Sequence, residues 1–299
     1  MRFARLALIC FYIALPATLL ADLNAGDLPN TGWYAHIDLT EMRSSDAGKE
    51  LYVWLDREVF EELRNETGFD ADREADRVTA LAGDDGSILV VIDGKFSQES
   101  KDRIVAISAL AGDFNMLSHA GKDYYQIEDT PERARSDSFD DVAFVSLAVA
   151  DKLLVTSSEA QMRAMLENGG RLPGDYDNGG ALLVLRGTKT FVQAGMQPHL
   201  IDEDFGWDSN LLRNTEKLGL LVSDEAGALA FVAQLVASDA TVANSLASIV
   251  RGLIGLQALS GEMDPEISRV LNSTEVAVDG STLTVKLAMD PKMLVEAID

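Results

Sequence analysis

Two tight-turn signals, each set between a pair of short apolar runs, limit the folds open to this chain more than any other feature of its sequence. Val78–Ala82 and Ile88–Ile92 flank Gly83-Asp84-Asp85-Gly86, while Leu218–Val222 and Leu229–Val236 flank Asp224-Glu225-Ala226-Gly227. Glycine and short acidic residues tolerate the positive φ angles a tight hairpin needs, so each block predicts an antiparallel strand pair. Gly86 and Gly227 stand 141 residues apart (227 − 86), and the elements around them come in a similar order. Short connections favour antiparallel sheets with helices packed on one face over a doubly wound parallel sheet. The expected fold is therefore α+β, as two similar tandem lobes that form an internal duplication.

The break between the lobes is Asn168 to Gly180, which holds five glycines and a proline and has no apolar periodicity. It sets the expected organisation: 27–167 as a first lobe, 168–180 as a glycine-rich linker and 181–299 as a second lobe. In the first lobe, Trp33–Leu39 reads as a strand. A helix follows with Leu51, Leu55, Val59 and Leu63 every fourth residue, ending at Gly68. Ser97 opens a helix carrying Ile104, Ile107 and Leu110. Strands are expected at 124–127, 143–149 and 153–156, and Ser158-Glu159-Ala160-Gln161 has the spacing of a capping box. In the second lobe Leu182–Leu185 reads as a strand, and Ser238 stands where Ser97 stood. A long helix spans 241–259, Asp279-Gly280 joins two strands, and Asp290-Pro291 opens a terminal helix.

Arg2 and Arg5 precede an uncharged, apolar stretch from Leu6 to Ala21, which has the form of a secretory signal peptide. Residues 1–21 are expected to be removed after Ala21. The protein is then periplasmic or secreted, with no stable membrane span. Cys10, the single cysteine, lies inside that segment, so the mature chain would be free of thiols. The 25 Lys and Arg against 49 Asp and Glu give a charge of −24, which becomes 23 − 49 = −26 without the first 21 residues. Such a field repels phosphate backbones, and no basic cluster offsets it, so nucleic acid is excluded as a partner.

Motifs that carry chemistry are absent. The phosphate-binding patterns, the G-x-S-x-G elbow and HExxH do not occur, and His36, His119 and His199 are scattered. His36 alternates with Tyr34 and Asp38 on one strand face, where a solvated, hydrogen-bonded imidazole is expected. The acidic runs 70–76 and 202–208 lack the glycine or the closing glutamate of a calcium loop. No catalytic residue, metal or cofactor is assigned. Trp33 and Trp207 adjoin glycine-containing loops and are the candidate ligand-binding residues. Within the 241–259 helix, Val242, Leu246, Ile249, Leu253 and Leu256 form a seam that needs cover, from its own sheet or from a homodimer partner. The function expected is that of an exported envelope protein, non-catalytic, binding a partner protein or a small ligand. The rival class is a carboxylate-dependent hydrolase using residues such as Asp38 or Asp93.

Overall fold

The computed structural model of the chain describes residues 31–83, 86–128, 142–172, 178–189, 214–259 and 265–298. They belong to two compact units: the described residues of 36–40 and 51–172 make up one, and those of 31–35, 41–50 and 178–298 the other.

Strand β1 (Thr31–Asp38) runs straight into helix α1 (Leu39–Ser44). Helix α2 (Asp46–Leu55), a π-helical turn (Asp56–Phe60) and α3 (Glu61–Thr67) follow without a break. The expected stripe is buried at Leu51, Leu55 and Val59, and the wider turn brings Phe60 inward beside it. Gly68 ends the run at φ +67°, its N–H donating to the Arg64 carbonyl at 2.8 Å. After the short α4 (Ala71–Glu74) come β2 (Ala75–Gly83) and β3 (Ile88–Gly94), paired antiparallel as the turn chemistry predicts. Ser97 caps α5 (Gln98–Ala111) by accepting from the Ser100 N–H at 3.1 Å. Its buried face is Ser100, Ile104 and Ser108, a spacing of four that leaves Leu110 exposed, contrary to the expected 104/107/110 stripe.

Two strands then appear where one was expected. β4 (Asp113–His119) and β5 (Lys122–Glu128) pair around Ala120-Gly121, both at positive φ. β6 (Val142–Ser146), β7 (Lys152–Thr156) and α6 (Glu159–Glu167) complete the unit, with the Ser158 side chain accepting from the Gln161 N–H. The order of pairing is β1-β2-β3-β7-β6-β5-β4. Leu89, Leu154, Met162 and Leu166 are wholly buried within it.

In the second unit β8 (Leu183–Thr188) pairs with β9 (Thr215–Glu225), and β9 with β10 (Ala228–Ala237) through Ala226-Gly227, again both at positive φ. Helices α7 (Ala240–Leu259) and α8 (Pro265–Ser273) precede the hairpin of β11 (Glu275–Asp279) and β12 (Thr282–Met289), and α9 (Pro291–Ile298) follows. The order of pairing is β8-β9-β10-β12-β11. The expected alternation holds in β12, where Leu283 and Val285 are buried and Lys286 and Ala288 are exposed. Asp290 caps α9 as expected, its carboxylate accepting from the Lys292 N–H at 2.9 Å.

The protein is thus α+β with a large antiparallel sheet, antiparallel at every pairing whose register is described. Tyr34, Ala35, His36 and Ile37 of β1 are all buried, so neither face of that strand is left to solvent. His36 is accordingly enclosed rather than solvated, with Nδ1 2.8 Å from the Thr79 hydroxyl oxygen.

Candidate functional site

Helix α7 starts at an aspartate. The Asp239 carboxylate accepts from the N–H groups of Thr241 and Val242 at 2.8 and 3.0 Å. The Val242 N–H is the chief reason that this carboxyl sits below the usual carboxylate range. The cap is therefore Asp239 and not Ser238. From there Leu246 and Ala247 pack with Leu283 and Val285, and Leu235, Val242, Val250, Val276 and Val278 close around them. The helix lies with this stripe on its sheet, as an amphipathic helix should.

The expected seam follows the sheet only at its start. At 3.6 residues per turn Leu253 falls between Val242 and Leu246, with Ile249 and Leu256 beside it, so the seam keeps its direction but loses its cover toward the C-terminal end of the helix. Ile249, Leu253 and Leu256 are 38%, 42% and 67% exposed. Arg251 reaches strand β11, Nη2 donating to the Val276 carbonyl at 2.8 Å. A Cβ placed on Gly252 or Gly255 would meet no atom within 4 Å, so the outer surface there is open. Residues 240–259 contain no Asp or Glu and a single Arg, in a chain with 49 acids. An uncharged, apolar flank on so acidic a protein is a surface suited to association rather than to solvation. Ile267 of α8, 45% exposed, adds to the apolar surface of this unit. Helix α8 was not read from the sequence, although Pro265 at its first position and the spacing of Ile267, Val270 and Leu271 are the usual signals.

Other polar groups are engaged in structural pairing. Asp93, one of the carboxylates of the hydrolase reading, is ion-paired with Lys152 and lies 4.0 Å from the Arg77 guanidinium. The Tyr124 hydroxyl donates to Glu159 at 2.7 Å, and Arg163 donates to the same oxygen at 2.7 Å. Burial, then the bond to Glu159, raises the Tyr124 pKa, while the Tyr124 hydroxyl and Arg163 hold Glu159 below its ordinary value. In the 70–76 acidic run Asp70 bridges Arg64 and Arg73, Asp72 accepts from Tyr52 and Asp76 from Thr40. Among the described residues no cluster of three or more His, Cys, Asp or Glu side chains could hold a metal ion. Asp224 accepts from the Ala47 N–H at 2.7 Å and the Gly227 N–H at 2.8 Å, and those bonds, Ala47 first, lower its pKa. Trp33 is half-buried in β1, and Trp207 lies outside the described residues. Among the described residues no helix is long and apolar enough to cross a membrane.

No protein-family model matches the chain, and no curated protein matches it. Solved structures similar to it include three crystal forms of a protein called TP0453. Form IV is 12% identical with a TM-score of 0.50, covering 96% of this chain and 98% of that one. Form III is 11% identical (TM-score 0.48, 90% and 94%) and form I 12% identical (0.47, 92% and 98%). At such identity the likeness to form IV is one of fold alone.

Proposed function

We propose that this chain is an exported, non-catalytic binding protein of the cell envelope, and that the apolar flank of α7 is where its partner docks. The observation that carries the reading is the exposure of Ile249, Leu253 and Leu256 on a helix with no acidic residue. The first partner proposed is a second copy, through 241–259. Light scattering during size-exclusion chromatography of residues 22–299 tests this: a dimer that Leu253→Glu with Leu256→Glu converts to monomer supports it, and a strict monomer at all concentrations removes it. Trp33 and Trp207 are the aromatic contacts proposed for a small ligand, and Trp33→Ala and Trp207→Ala, each with unchanged ligand-induced stabilisation, would remove them.

Export rests on the charged-then-apolar N-terminus, and cell fractionation with detection of a product shortened by 21 residues tests it. The two units derive, in this reading, from one ancestral lobe, with 27–167 and 181–299 as the copies and 168–180 as the link. The strand order β1-β2-β3-β7-β6 matches β8-β9-β10-β12-β11. One backbone bond recurs as well: the Gly94 N–H donates to the Asp151 carbonyl at 3.0 Å, and the Ala237 N–H to the Ser281 carbonyl at 2.9 Å. Each unit then has a helix before its last hairpin (α5, α7) and a helix after it (α6, α9).

A further inference from the structure

The equivalence of strands can be carried to single residues. Asp93 faces Lys152 on β7 and Val236 faces Thr282 on β12, one residue beyond the recurring backbone bond. Counting up each strand sets Val155 of β7 equivalent to Val285 of β12. Val155 faces Val145 on β6, and Val285 faces Val276 on β11. Phe144-Val145-Ser146 is therefore the counterpart of Glu275-Val276-Ala277.

The two counterparts differ at their outer edge. In the first unit β6 is covered by β5, with Tyr125 opposite Val145 and Gln126 opposite Phe144. In the second unit β11 is the last strand of the described order, and the segment that yields β4 and β5 in the first unit yields α8 in its place. A terminal strand presents unpaired backbone groups and is a template for another chain. From the β5 template we propose that β11 takes up an extended segment of a partner protein as an added antiparallel strand; the inference rests on the duplication above. Strand addition uses main-chain hydrogen bonds for affinity and alternate side chains for selectivity.

The register fixes the chemistry of the occupant. Transferred to β11, the β5 positions put Gln126 opposite Glu275, Tyr125 opposite Val276 and Lys122 opposite Asp279. Glu275, Ala277 and Asp279 are exposed, whereas Val276 and Val278 belong to the α7 core. The arriving strand thus meets two carboxylates at its ends and is basic at those two positions. A second copy paired edge to edge about Ala277 would set Glu275 against Asp279, like charges directly opposite, and the charge complement of this edge is a basic segment, which the proposal assigns to a different chain. Arg251 already holds the Val276 carbonyl, and the segment exchanges with it there.

The test uses residues 22–299 and a fluorescein-labelled peptide with the β5 sequence, Lys122–Glu128, carrying Q126K and E128K. A rise in anisotropy, with slowed deuterium exchange of the 275–279 amides and not of 113–119, is the expected result. Glu275→Lys with Asp279→Lys should weaken this peptide at least tenfold and admit instead a peptide with Glu at both ends, and an unchanged melting curve shows that the variant is folded. Absence of binding to about 1 mM, protection elsewhere, or indifference to the charge reversal overturns the proposal. A crystal structure in which β11 and β6 do not superpose overturns the duplication itself. One in which they superpose, with no peptide bound in solution, overturns strand addition alone.

Discussion

Removing the Asp224 carboxylate is the most exacting test of how the second unit is held together. One oxygen accepts from Ala47 at the start of α2, the other closes the β9–β10 turn on Gly227. Ala47 is completely buried, so in Asp224→Ala its N–H loses a charged acceptor without access to water. A lost helix cap costs about 1 kcal/mol and a buried donor left unsatisfied about 1–3 kcal/mol; the two overlap, so a loss of roughly 2–3 kcal/mol is expected. Asp224→Asn keeps one acceptor and should lose about half of that. The acid dependence has a defined sign. The folded pKa lies below the unfolded value of about 3.9, so the stabilisation is present above that pH and lost as pH falls through the folded pKa. Urea melts of residues 22–299 and both variants at pH 7, 5, 4 and 3 measure it. Wild type and Asp224→Ala should converge as the pH drops. A loss below about 0.5 kcal/mol at pH 7, or a gap that stays constant to pH 3, refutes the reasoning.

Two glycine substitutions separate backbone crowding from backbone conformation. A Cβ on Gly94 would lie 1.8 Å from the Glu74 carbonyl oxygen, so Gly94→Ala should cost about 3 kcal/mol or more, whereas Gly86→Ala meets no atom and should cost about 1 kcal/mol for its φ of +81°. Denaturant midpoints compare them, and equal losses would contradict the geometry. Tyr124→Phe should cost about 1 kcal/mol. With a folded pKa raised above the unfolded value of about 10, Tyr124 contributes stability below that pH and loses it as pH rises through the folded pKa. Ultraviolet difference titration of wild type against Tyr124→Phe should show the missing tyrosine ionising above about pH 10, and a difference signal centred at or below that pH would contradict the geometry.

Much of the fold was legible because turn and cap chemistry is local. Gly83 to Gly86, Asp224 to Gly227, Asp279-Gly280, Ser97, Ser158 and Asp290-Pro291 each dictate a bend or a start without help from distant residues. The strand not legible, β4, is joined to β5 by Ala120-Gly121, a weaker turn signal than Asn-Gly or Asp-Gly. The start of the α7 seam is legible, since Val242 and Leu246 do pack on the sheet together with Ala247 and Val250; that its continuation at Ile249, Leu253 and Leu256 stands exposed depends on tertiary packing that no local pattern records. The burial of His36 is not legible, because alternation identifies a face and not what lies upon it. The exposed flank was legible as composition, since a run from 240 to 259 without an acid stands out in so acidic a chain; which residues stand in water was not.

Two of the hairpins turn through alanine. Ala120 and Ala226 hold φ angles of 51° and 54°, a left-handed twist against which a methyl group pushes and to which asparagine is better suited. The chain therefore keeps a reserve of sturdiness untapped: Asn at either corner should raise the unfolding midpoint, and the margin it works within is narrower than its scaffold permits.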